Sequence, residues 1–226
     1  MNNLTKTHES LLNALVTDEK KYKNNFYSPG PYWNYKAKKI LYWLKRKGLN
    51  QFRGLHSGVG TSYADNIVVD FRNELGAKGR FLALITRLPL LKKLYDLQVQ
   101  STIDITKETI RRKAIFYENN EKIKYLLSKY KILNSTEFGC VSKFKINGNE
   151  YSFHYLNLCE RIDIISNKID YKKIVSILEI GGGFGANIHL LLTNFNNIKK
   201  IIYLDIVPNL FVGTEYLRFF YKDAVK

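Results

Sequence analysis

The sequence predicts an α/β protein with a mainly helical N-terminal region, a β-hairpin, and then the first half of a parallel α/β domain. Three observations carry that prediction. Ile174 to Ile180 is apolar except at Ser176 and Glu179, and is followed at once by Gly181-Gly182-Gly183-Phe184-Gly185 and a helix-like run from Ala186. Asn147-Gly148 separates two short segments that read as paired strands. Upstream of both, apolar residues recur at helical spacing. These boundaries divide the chain into a helical region at 1–135, the hairpin and a connecting helix at 136–170, and an incomplete α/β domain at 171–226.

Leu4 to Lys23 is expected to be helical through Leu4, Leu11, Leu12 and Leu15, and Ser28-Pro-Gly-Pro stops it. Trp33, Ala37, Leu41 and Leu44 then form the stripe of an amphipathic helix, with Gly48 as its C-terminal cap. Lys36, Lys38, Lys39, Lys45, Arg46 and Lys47 take much of the remainder and read as a solvated face. From Leu49 to Gly79 the chain is rich in glycine around a short apolar run, Ile67 to Val69. Loops of this kind on a rigid frame often carry function. Arg53, His56, Asp65, Asp70 and Arg72 lie there, and a surface or structural role is the expectation for each.

Phe81 to Leu97 is expected to be helical, bent or restarted at Pro89. Lys107 to Leu133 follows as a long helix or a helix pair, with Ile123, Leu126, Leu127 and Tyr130 on one face. Val141 to Ile146 and Asn149 to Tyr155 flank the Asn-Gly turn, whose residues accept the positive φ angles of type I′. Pairing about that turn sets Phe144 opposite Tyr151 and Lys145 opposite Glu150, both favourable pairs. His154 lies beside the hairpin, where a general base is conceivable and a structural histidine is the expectation. Leu156 to Ile169 reads as the helix leading into the parallel unit.

In that unit the glycines let the backbone turn sharply and a ligand come close. The helix from Ala186 to Phe195 aims free N–H groups and its positive dipole end at whatever sits over the turn. Gly181-x-Gly183-x-x-Ala186 fits a dinucleotide fingerprint, but Glu179 at the strand end repels a pyrophosphate. The same carboxylate can hold an ammonium group, such as the amine of S-adenosyl-L-methionine. A second strand, Lys200 to Val207, carries Asp205, which lies 20 residues beyond Gly185 and can accept from both ribose hydroxyls.

On Leu178-Glu-Ile-Gly-Gly-Gly-Phe-Gly185, Tyr203-Leu-Asp-Ile-Val-Pro-Asn-Leu210 and Glu215-Tyr-Leu217, the chain resembles the class I, Rossmann-like S-adenosylmethionine-dependent methyltransferases. Ser28-Pro-Gly-Pro-Tyr-Trp33, Gly48-Leu-Asn-Gln-Phe-Arg53 and Phe138-Gly139 ahead of Asn147-Gly148 make it look like the bacterial sugar O-methyltransferase group found with surface-polysaccharide gene clusters. The resemblance implies a cofactor site at Glu179, Gly181, Gly182, Gly183, Phe184, Gly185, Asp205 and Ile206. Glu179 would hold the amine, Asp205 the ribose, and the glycines the methionine part. It implies a sugar or saccharide acceptor and names no catalytic base. Full members have seven strands, so the resemblance covers only the opening half of the domain. The chain is therefore expected to be an N-terminal piece of a longer product, with completion of the sheet by another chain or by the upstream region as the alternative. Whether the truncated chain is active is left open.

Composition narrows the alternatives. Hydrophobic residues make up 45% of the chain, which is ample for a core and excludes global disorder. The net charge of +16 raises nucleic acid and anionic membranes as partners. It comes from 27 Lys against 9 Arg, dispersed in a chain also rich in Asn, Ile and Tyr. No nucleic-acid recognition motif accompanies the charge, so a nucleic-acid methyltransferase is the second reading and a non-catalytic remnant or partner-binding module the third. An NAD-dependent oxidoreductase is fourth. Cys140 and Cys159 form no C-x-x-C pair and read as free thiols, no metal site is expected, and no apolar run is long enough to span a bilayer. A cytoplasmic location is the expectation.

Overall fold

The computed structural model describes residues 4–21, 29–50, 52–53, 72, 76–140 and 143–226. It is mixed α/β and mostly helical. The elements run α1 (Lys6–Lys21), α2 (Pro31–Lys47), α3 (Ala77–Ile85), α4 (Pro89–Glu118), α5 (Glu121–Lys129), β1 (Phe144–Ile146), β2 (Asn149–Tyr151), α6 (Phe153–Ser166), β3 (Ser176–Ile180), α7 (Ala186–Asn194), β4 (Lys200–Leu204) and α8 (Val207–Tyr221). The turn at Ser28, the strand start at Val141, the run Ile67 to Val69, and His56, Asp65 and Asp70 fall outside the described residues.

Local signals place most boundaries. Pro31 opens α2, and Gly48 closes it at φ 64°, its N–H donating to Leu44 O at 2.8 Å. Leu44 is buried and Leu41 packs on the core, as the expected stripe requires; Ile40 is buried beside them, and Trp33, at the start of that stripe, is exposed. Lys39, expected on the solvated face, is buried, with its Nζ 4.8 Å from the centroid of the Tyr35 ring. Pro89 restarts the chain as α4, and this helix runs unbroken to Glu118, with no break between Leu97 and Lys107. Its end is set by Asn119 and Asn120; the Asn120 side chain accepts from Ile123 N at 3.1 Å and caps α5.

The hairpin pairs Phe144 with Tyr151 and Lys145 with Glu150, as the Asn-Gly turn predicts. Asn147 and Gly148 take φ of 49° and 80°. Its second strand ends at Tyr151, earlier than expected, and α6 begins at Phe153, so His154 and Tyr155 are helical.

β3 and β4 are parallel, with Leu178 beside Ile202 and Ile180 beside Leu204. Their Ile177, Ile201 and Tyr203 side chains pack on the core, while Leu178, Ile180, Ile202 and Leu204 are 47–74% exposed. The expectation of a strand covered on both faces is thus corrected: only one face is covered among the described residues. The upstream region packs on the helices of this unit. α1 and α2 lie against α8, α6 lies against α7, α5 lies against α6, and α4 reaches β1. Buried residues from all three segments form one hydrophobic cluster, from Leu12 and Leu44 through Phe144 and Leu156 to Phe184, Phe211 and Tyr216.

Candidate functional site

The glycine turn begins where β3 ends. Gly181 N donates to Leu204 O at 2.8 Å and extends the ladder by one step. Gly181, Gly183 and Gly185 then take φ of 73°, 63° and 82°, the left-handed region that a side chain disfavours. A methyl group built on Gly181 would have no heavy atom within 4 Å, so space lies open beside the backbone at that point. Gly185 N donates to Gly182 O at 3.0 Å, closing the turn, and Gly185 starts α7 with no side-chain cap. The first N–H groups of α7 therefore supply partial positive charge at the turn.

Two carboxylates flank it. Glu179 Oε2 accepts from Asn187 Nδ2 at 2.9 Å. Burial pushes the Glu179 carboxyl above its ordinary value and the charge of Asp205 adds to this, against the Asn187 hydrogen bond. Asp205 follows β4. Its Oδ1 accepts from Ile206 N at 2.7 Å and Asn209 Nδ2 at 2.9 Å, and its Oδ2 accepts from Gly183 N at 2.8 Å. Burial raises its pKa, and the Gly183, Ile206 and Asn209 hydrogen bonds oppose the rise. A carboxylate offers about four acceptor sites. Three are engaged within the chain, which leaves about one for a further donor.

The remaining sequence-predicted residues divide. Ile206 serves through its backbone N–H and stands at the N-cap of α8. Phe184 turns inward: its ring is buried against Phe52, His154 and Tyr216, so only its backbone belongs to the turn. His154 packs its ring 5.2 Å from that of Phe184. Arg53 is fully buried in a structural role, donating to Ser135 O at 2.5 Å and Ser152 Oγ at 2.7 Å, with its guanidinium 5.0 Å from the Phe184 ring centroid. Arg72 bonds Asp96 at 2.6 Å on α4. Cys140 is half-buried and Cys159 buried, and burial pushes the Cys159 thiol up to about 12. Among the described residues no group of His, Cys, Asp and Glu is placed to hold a metal ion.

Two features escape a sequence reading. Tyr203 sits beneath the turn, its hydroxyl donating to Gly183 O and lying 3.1 Å from Asn209 O. Its only sequence signal is an inward-facing polar aromatic two residues before Asp205. Behind Phe184, His189 Nδ1 lies 2.9 Å from the hydroxyls of both Tyr155 and Tyr216, which also bond each other. Nothing in the spacing of these three residues announces that cluster.

The arrangement offers a backbone turn open to a ligand, helix N–H groups for an anionic group, one carboxylate for a cation and a second for a hydroxyl. Comparison of the chain with protein-family models, with curated proteins and with solved structures returns no match in any of the three.

Proposed function

We propose that the turn from Glu179 to Asp205 is an S-adenosyl-L-methionine site, and that the chain serves an O-methyltransferase acting on a sugar hydroxyl in surface-polysaccharide synthesis. The observation that carries the cofactor assignment is the pair of carboxylates at the ends of adjacent parallel strands, on either side of a left-handed glycine turn. Strand, turn, helix and second strand follow one another as in the opening of a Rossmann-like domain. The sugar acceptor rests on the resemblance of the motifs.

The residues present fit the cofactor. Glu179 keeps Oε1 for an ammonium group, and partnering it with a cation offsets the burial that raises its pKa. A pyrophosphate at the same place would meet the negative charge of Glu179, which sets NAD apart, whereas Asp205 suits the ribose of either cofactor. Asp205 keeps one acceptor site on Oδ2 for a ribose hydroxyl. Gly181 leaves the backbone approachable. When bound, the cofactor supplies an electrophilic sulfonium methyl group. The protein's part is to align the acceptor hydroxyl with it, and alignment is a large share of the rate gain in such a displacement.

Calorimetric titration with S-adenosylhomocysteine, with NADH in parallel, tests the assignment. Binding of the first alone is expected. Asp205→Ala should weaken it by about tenfold to a hundredfold, the effect of losing a hydrogen bond to a charged group. Glu179→Gln should weaken it while circular dichroism stays unchanged. Binding of NADH, or no binding of either ligand to folded protein, overturns the cofactor assignment.

A further inference from the structure

The segment from α3 into the first turns of α4 takes no part in the glycine-turn unit. Phe81 and Leu84 on α3, Leu88 in the link, and Leu90, Leu94 and Leu97 along α4 are each 56–70% exposed. Single exposed apolar residues are normal on a protein surface, whereas six large ones within seventeen residues are a concentration that calls for a cover. Leu90, Leu94 and Leu97 recur at the spacing of one helix stripe. Among the described residues, no hydrophobic side chain between 77 and 109 belongs to the core cluster or packs against it. At about 1.5 Å per residue α4 is about 45 Å long, and the side chains that pack on the core, Ile110, Ala114 and Tyr117, lie in its C-terminal third. No residue of α4 is buried.

Charge selects the occupant. Between 77 and 97 the exposed basic residues are Lys78, Arg80, Arg87, Lys92 and Lys93, against one acid, Asp96. That acid is bonded by Arg72 and paired with Lys92 at 3.3 Å, and these contacts hold its carboxyl below the ordinary value, so the segment's one acid is matched to Arg72 and Lys92 rather than to Arg80, Arg87 or Lys93. Exposed leucines beside clustered lysine and arginine match a bilayer with anionic headgroups, where the apolar side chains enter the acyl boundary and the cations meet the phosphates. A second copy of the chain would bring the same positive charge to the same place, and the two would repel.

We propose that the α3–α4 arm is a docking surface for an anionic lipid bilayer. The chain lies on the membrane through this arm and does not cross it: no helix among the described residues is long and apolar enough to span one. The glycine turn is a separate feature, and the proposal stands without the cofactor assignment.

Flotation of the full chain with vesicles tests it, comparing phosphatidylcholine alone with phosphatidylcholine containing phosphatidylglycerol. The protein should float with the anionic vesicles only, and less so as salt rises. Each basic residue at such a surface is worth about fivefold in partitioning, so Arg87→Glu with Lys93→Glu should lower it by at least about tenfold. Leu90→Ser with Leu94→Ser and Leu97→Ser should abolish it with circular dichroism unchanged, since these side chains are already exposed. The proposal is overturned if the folded protein ignores anionic vesicles or if both variants float like the parent. It also fails if, without lipid, the parent sediments as a dimer that the leucine variant dissolves, because the face then belongs to a second copy.

Discussion

His189 is 1% exposed, and its ring is enclosed by Tyr155, Tyr216, Tyr221 and Phe220. Burial lowers its pKa from 6.5 to about 4, and the charge of Arg53 adds to the shift. The folded value lies below the unfolded one, so the unfolded chain takes up the proton first. The contribution of neutral His189 to stability is therefore complete above pH 6.5 and is lost as pH falls from 6.5 toward 4. A shift of that size corresponds to about 3 kcal/mol. Glu179 and Asp205 are raised by burial and act in the opposite sense at acid pH, so the effect is best read as a difference. Urea denaturation of the parent and of His189→Gln between pH 7 and 4 should show the parent losing about 3 kcal/mol relative to the variant. Parallel curves would mean that His189 does not titrate in this window. The same cluster explains why the residue was illegible in the sequence: the apolar run around it already accounts for a helix, and the two tyrosines that bond it lie 34 and 27 residues away.

At the scale of elements, legibility follows the range of the forces involved. The Asn147-Gly148 hairpin, the Gly48 cap and the Pro89 restart depend on local dihedral preferences, and each lies where the residues place it. The continuity of α4 across residues 97–107, and the burial of Lys39 and Ile40 with the exposure of Trp33 on α2, depend on what each helix meets, which the local pattern does not contain. The seating of α8 against β4 belongs to the second kind. Gly213 lies mid-helix, where glycine ordinarily costs about 1 kcal/mol relative to alanine. A methyl group there would stand 2.5 Å from Tyr203 Oη and 2.6 Å from its ring. The hydroxyl on that ring donates to Gly183 O, so a displaced tyrosine carries the glycine turn with it. Gly213→Ala should therefore destabilise the protein by about 1–3 kcal/mol, the usual cost of overpacking, despite its better helix propensity. It should also weaken S-adenosylhomocysteine binding. A thermal melt shows which term wins: a raised midpoint would place the helix preference above the clash.

At the scale of the whole molecule, the parallel unit is secured from one side. The upstream helices and the aromatic cluster around Phe184 and Tyr216 bury the helical side of the β3–β4 unit. The glycine turn after the first strand and the end of the second strand were legible because each is set by a short local run, and the hydrogen bonds on Asp205 were not, because Gly183 and Asn209 reach it only through the fold. The cover of the sheet was misjudged for a related reason. Its apolar residues occupy both faces, and a continuous apolar strand reads as buried on both. Two strands are too few to be stable alone, so the packed face carries the stability and the outer face contributes little. That asymmetry makes a prediction. Leu178 and Ile202 are cross-strand neighbours, 56% and 47% exposed. Replacing both with threonine keeps strand propensity while removing apolar surface from water. The thermal midpoint should stay within the shift expected of about 0.5 kcal/mol, as for other exposed substitutions. Binding of a hydrophobic dye and light scattering at high protein concentration should both fall, because an exposed apolar sheet face is a site of association. If the pair instead cost 2 kcal/mol or more, the outer face would be buried in solution, and the protein would hold its sheet between two layers rather than on one.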